Sequence, residues 1–164
     1  MTILDFIQNV LIDEVMTLQQ EGKHDILSLS LVYQGIEFLG ACLDSESFSA
    51  KGLSAARFRR AIYDLFPASY YPFNQGSGTS FDLYENLQGT LWHAILPASR
   101  LVLIRRSEKE KCHANHLEVK EIRGMNRLVI VLEDLFRDYE NACREITARI
   151  RQGRLKGWKF AKDG

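Results

Sequence analysis

A histidine and an amide pose the first chemical question. Gln88 and His93 sit with four residues between them in the stretch 80–97, whose apolar residues keep helical spacing and which Pro97 is expected to end. An imidazole moves a proton near neutral pH, and an amide orients an oxygen through neutral hydrogen bonds. Positions five apart on a helix point about 140° from each other, so both border one cleft only if the helix tightens or ends between them. Gly89 and the approach to Pro97 permit that. The alternative is structural: a histidine at a helix C-terminus bonds the last carbonyls and suits the dipole.

Other groups invite the same scrutiny. Glu37 and Gln34 are polar positions on an otherwise apolar helix, so they either reach out between neighbouring helices or line a pocket. Cys112, His113 and His116 place a thiol beside two imidazoles, but a structural zinc site needs four ligands and these supply three. A polar loop is the reading, and no metal site is expected. Seven Lys/Arg against one acid lie between Arg144 and Lys162, with Trp158 and Phe160 among them. Arg154, Lys156, Trp158 and Lys159 are the candidates for contact with single-stranded nucleic acid, where rings stack on bases and cations follow phosphates. The glycine-rich 75–79 turn lacks the Lys-Ser/Thr of a phosphate-binding loop, and no Ser-His-Asp set, metalloprotease pattern or dinucleotide fingerprint is present. No cofactor is expected.

The elements that must hold these groups are mostly helical. Thr2 and Asp5 form a capping box ahead of apolar residues at 3, 6, 7, 10, 11 and 18, which predicts a helix to about Gly22. Asp25 starts a second helix with Leu29, Val32, Ile36, Leu39 and Leu43 inward, the most buried of the set. Ser54 is read as the cap of a third, reaching Phe66, and a fourth begins at 80 or 81 with Phe81, Tyr84, Leu87, Leu91 and Ile95 on one face. Then the period changes. Residues 101–104 are short, apolar and β-rich, and 117–122 alternate, so a β-hairpin is expected over about 101–122. From Asn126 to about Gln152 a long apolar stripe predicts the last helix.

The fold class is therefore mainly α: an up-and-down bundle of about five helices with one β-hairpin before the last. It forms a single domain over 1–153, followed by a basic tail at 154–164. Hydrophobic residues at 46% and charged residues at 26% are ordinary for a globular chain. No apolar run approaches the roughly 18 residues of a membrane helix. Three scattered cysteines and an N-terminus without a basic region point to a reducing compartment, the cytoplasm. Net charge is zero, yet residues 1–82 carry 5 Lys+Arg against 10 Asp+Glu while the rest carry 16 against 11. That asymmetry marks either a nucleic-acid face or two halves that attract each other.

The stretch Leu87-Gln88-Gly89-Thr90-Leu91-Trp92-His93 resembles the signature of the HEPN superfamily, helical bundles whose arginine and histidine are separated by four to six residues. His93 matches the histidine; Gln88 stands where the arginine belongs. The resemblance implies a homodimer with a composite cleft, placing Tyr84, Gln88 and His93 near a two-fold axis, and in active members metal-independent RNA cleavage. An amide in place of a guanidinium removes fixed charge and a donor fork from the phosphate. The expected function is thus a catalytically degenerate HEPN-like protein acting by protein or RNA contacts. The alternatives are a metal-independent ribonuclease using His93, with Arg57, Arg60 or Arg100 replacing the arginine in space, and a regulatory partner protein with no active site.

Overall fold

The computed structural model describes residues 1–76, 81–92 and 100–155, by backbone alone over 89–92. These residues form a mainly helical bundle with a small sheet placed before the last long helix. The Thr2 hydroxyl accepts the Asp5 N–H at 3.0 Å, and the Asp5 carboxylate accepts the Thr2 N–H at 3.0 Å, so the first turn is closed by its own sequence. The helix α1 (3–21) then runs through Ile3–Asp5, Phe6–Glu14 and Val15–Glu21, the middle segment wound with a wider π turn. Ile7, Leu11, Ile12 and Val15 enter the core from it. Gly22, left-handed at φ 67°, ends it.

The second helix, α2 (Asp25–Leu43), is the centre of the molecule. Leu29, Val32, Ile36 and Leu39 are fully buried. It touches α1 and all three later long helices, α3 (Ser54–Leu65), α4 (Leu83–Trp92) and α5 (Leu132–Arg151). Two glycines make that possible. A Cβ built at Gly40 would stand 1.9 Å from the Arg57 carbonyl oxygen, and one at Gly35 would stand 1.9 Å from the Tyr139 hydroxyl. Backbone of α3 and a ring of α5 fill those spaces. Against the expectation that nothing here is apolar enough, α2 is long and apolar enough to cross a membrane by length and composition, and 56% of its most apolar window is buried inside the bundle. The interruptions Ser28, Ser30, Gln34 and Glu37 hid this from a count of unbroken apolar residues.

The β region departs from expectation in its pairing. Strands β1 (Leu101–Ile104), β2 (Glu118–Ile122) and β3 (Met125–Val131) form a sheet in the order β1-β3-β2. The hairpin is β2 with β3, not 101–104 with 117–122; Ile122 faces Met125 across the turn Arg123-Gly124. Both turn residues have positive φ, 55° and 76°, the geometry that matches the twist of a two-residue hairpin. β1 lies parallel on the other side of β3, with Leu101 opposite Leu128 and Ile104 opposite Val131. Residues 126–131 are consequently strand, and α5 starts at Leu132 rather than Asn126. Leu128-Val129-Ile130-Val131 is buried on both faces, and such a run gives no period by which strand and helix are told apart.

Candidate functional site

One face of α2 carries Ser30, Tyr33, Gln34 and Glu37, the spacing that puts four side chains on one side of a helix; Gln34 is exposed, Ser30 and Glu37 are half-buried and Tyr33 is buried. Across from it α4 presents Tyr84 and Gln88, one turn apart, and α3 contributes Ser54 at its first turn. These seven residues line a cleft of about 410 Å³. A second hollow of about 360 Å³ continues along α2, lined by Gln34, Glu37, Phe38, Ala41, Phe48 and Arg57. Gln34 and Glu37 form the ridge the two share. Both volumes fall at the lower end of the range of small-molecule pockets.

The floor of the first cleft is aromatic. The Tyr33 and Tyr84 rings lie 5.7 Å apart, and Phe58 meets them at 5.4 and 5.5 Å. Burial pushes the Tyr33 hydroxyl pKa well above its ordinary value; its hydrogen bond to Tyr84, that group's charge and the Glu37 charge add to the rise, and Arg59 opposes it. Tyr33 therefore stays a neutral donor. Glu37 takes a 2.6 Å hydrogen bond on Oε1 from the Ser54 hydroxyl. That contact corrects the reading of Ser54 as a helix cap: Leu53 is the cap residue, and the Ser54 side chain turns to the carboxylate instead.

Each arginine near the cleft is already committed. Arg57, only 4% exposed, gives Nε to Asp44 at 2.7 Å and its two terminal nitrogens to the Ser47 and Phe48 carbonyls, pinning the connection after α2. Arg60 pairs with Asp64 at 3.6 Å. Arg59, which the sequence did not single out, stands over the Tyr84 ring at 5.3 Å and bonds the fully buried Asp82 at 3.1 Å. Asp82 also accepts the N–H groups of Gly76 and Glu85, and so caps α4 two positions after its expected start. Arg100 is exposed.

Of the residues singled out from the sequence, Glu37, Tyr84 and Gln88 come together in this cleft. His93 lies outside the described residues, as do Lys156, Trp158 and Lys159. Arg154 is exposed beyond the end of α5, 3.6 Å from the Glu145 carboxylate. Cys112, His113 and His116 diverge: the first two are exposed, while His116 turns inward. Among the described residues no three His, Cys, Asp or Glu side chains converge on a common point.

His116 belongs to a second polar constellation that sequence reasoning missed. Its Nδ1 accepts the Val131 N–H at 3.1 Å, which leaves the proton on Nε2, 2.8 Å from the Tyr70 hydroxyl. Tyr70 in turn donates to Asp138 Oδ2 at 3.0 Å, and Arg137 donates twice to Asp138 Oδ1. Burial lowers the His116 pKa; Asp134 and Asp138 oppose that shift, while Arg137 and Lys109 reinforce it. Leu117, the residue after His116, is held at φ 61°, a conformation that costs a residue with a side chain roughly 1–2 kcal/mol. The available signal was Asp138, an acid about 60° from Leu135 on the buried stripe of α5.

Compared with known proteins, the chain matches no family model, no curated protein and no solved structure.

Proposed function

We propose that this protein works by contact rather than by catalysis, as a HEPN-like bundle whose family-type site has lost its arginine, and that it does so as a homodimer. The reading rests on the charge of the cleft beside Gln88. Among its described lining residues the one formally charged side chain is Glu37, a carboxylate. Cleavage of RNA requires cations or fixed donors around a phosphate that gains charge in the transition state. A carboxylate opposes that charge, an amide at 88 does not replace it, and Arg57, Arg59 and Arg60 are each held by an aspartate. A protein partner suits such a cleft better than an RNA backbone does.

The deciding experiment restores the missing group. Purified wild type, His93→Ala, Gln88→Arg and Gln88→Arg/His93→Ala are incubated with single-stranded RNA in chelator. Wild type and the double variant are expected to be inert, and Gln88→Arg to gain at least about a hundredfold in cleavage. Cleavage by wild type that vanishes in His93→Ala overturns the non-catalytic reading in favour of a metal-independent ribonuclease. A folded but inert Gln88→Arg removes the HEPN kinship. A monomer by light scattering at micromolar concentration removes the dimer.

A further inference from the structure

We infer that the cleft between α2 and α4 receives an arginine side chain of a partner protein, with Glu37 as its counter-ion and Tyr33 and Tyr84 as its walls. This rests on the reading of the cleft as a contact surface and names what occupies it.

Four observations converge. Glu37 is half-buried, and among the described residues its hydrogen-bond partner is the Ser54 hydroxyl on Oε1, which leaves Oε2 to take a donor. Among the described residues no cation stands within ion-pairing distance of it, although three arginines occupy the adjoining helix and each has its own aspartate. A carboxylate lining a cleft with no cation beside it is placed to take one, and a guanidinium meets it with two parallel N–H donors. The aromatic floor suits a long cationic side chain. Arg59 already takes one face of the Tyr84 ring and Tyr33 is buried against Tyr84 and Phe58, so the floor offers apolar contact for the stem of such a side chain while Glu37 meets its charged head.

The amides complete the recognition. Gln34 and Gln88 line the same cleft, where an amide can turn its carbonyl oxygen to the remaining guanidinium N–H groups, and Ser30, whose hydroxyl donates to the Ile26 carbonyl, keeps lone pairs to accept with. A guanidinium has five N–H donors and no acceptor, so a lining of carboxylate, amide and hydroxyl oxygens meets it fully. An ammonium, with three donors at a point, uses less of this lining. The continuous second hollow along α2, walled by the stacked Phe38 and Phe48 rings, gives room for the chain that carries the side chain. That continuity favours an arginine within a polypeptide over a free small cation.

The test titrates the full-length protein with the blocked tripeptide acetyl-Gly-Arg-Gly-amide, followed by NMR shifts of the Tyr33 and Tyr84 ring protons. Controls are the same peptide with citrulline, the neutral isostere, and free methylguanidinium. The arginine peptide is expected to bind at least about tenfold more tightly than the citrulline peptide, and Glu37→Gln, which keeps a group for Ser54 to bond, is expected to abolish that preference. Equal binding of the two peptides, or an undiminished preference in a Glu37→Gln variant with native circular dichroism, overturns the inference. Methylguanidinium binding as tightly as the peptide overturns the assignment to a partner's side chain. None of these outcomes bears on RNA cleavage, so failure here and failure of the non-catalytic reading are distinguishable.

Discussion

Replacing Tyr70 by phenylalanine removes one oxygen and leaves the ring where it is, packed edge-on against Phe66 at 5.2 Å and His116 at 5.5 Å. That oxygen is fully buried and does two jobs: it accepts from His116 Nε2 at 2.8 Å and donates to Asp138 Oδ2 at 3.0 Å. In Tyr70→Phe both partners stay inside and lose their bonds. A buried group left without its hydrogen bond costs about 1–3 kcal/mol, more when charged, so the pair should cost about 2–5 kcal/mol. Asp138 retains two bonds from Arg137 on its other oxygen, which keeps the loss from rising further. For a chain of this size the expected fall in Tm is about 5–15 °C. Urea unfolding followed by circular dichroism at pH 7.5 measures it directly, with the slope m unchanged because the fold is retained. A loss below about 0.5 kcal/mol would show that water or a shifted side chain serves these groups equally well, and the buried relay would have no energetic meaning.

The same constellation makes stability depend on pH in a stated direction. Because the folded His116 pKa is depressed below its unfolded value of about 6.5, the unfolded chain binds more protons, so stability is fully present above that value and falls as pH drops through the folded pKa, by up to about 1.4 kcal/mol per pH unit. His116→Gln should lose that slope between pH 7 and 5.5 in matched urea titrations, and parallel curves for the two proteins would refute the assignment. At the crossing of α2 and α3, Gly40→Ala should destabilise by about 3 kcal/mol, because the obstacle to the new methyl is the Arg57 backbone carbonyl rather than a side chain that can turn aside. An unchanged urea midpoint would mean that the helices part at no cost.

Much of the frame was written locally. The Thr2–Asp5 box, the stripe of α2 and the late apolar stripe of α5 are periodic or capped within a few residues, and the forces that read them act over one or two turns. The β region was less legible. Leu128 to Val131 is apolar at every position, and only β1 on one side and β2 on the other make it a strand. Even there a local signal existed, the Arg-Gly pair whose positive φ angles close the hairpin.

For the candidate cleft the division is similar. The positions 30, 33, 34 and 37 share a helix face by arithmetic alone, and Tyr84 and Gln88 share another. Whether those faces meet an open cleft or a packed neighbour depends on how closely α3 and α4 approach α2, and Gly40 and the Asp82 cap govern that approach. The buried relay lay furthest from what a sequence conveys: Tyr70 is 46 residues from His116 and 68 from Asp138. The sequence by itself determined the helical periods, their caps and the acidic and basic halves. The tertiary structure alone decided which polar side chains were brought together, because burial and hydrogen bonding between distant segments follow from how the elements pack, and no local pattern encodes that.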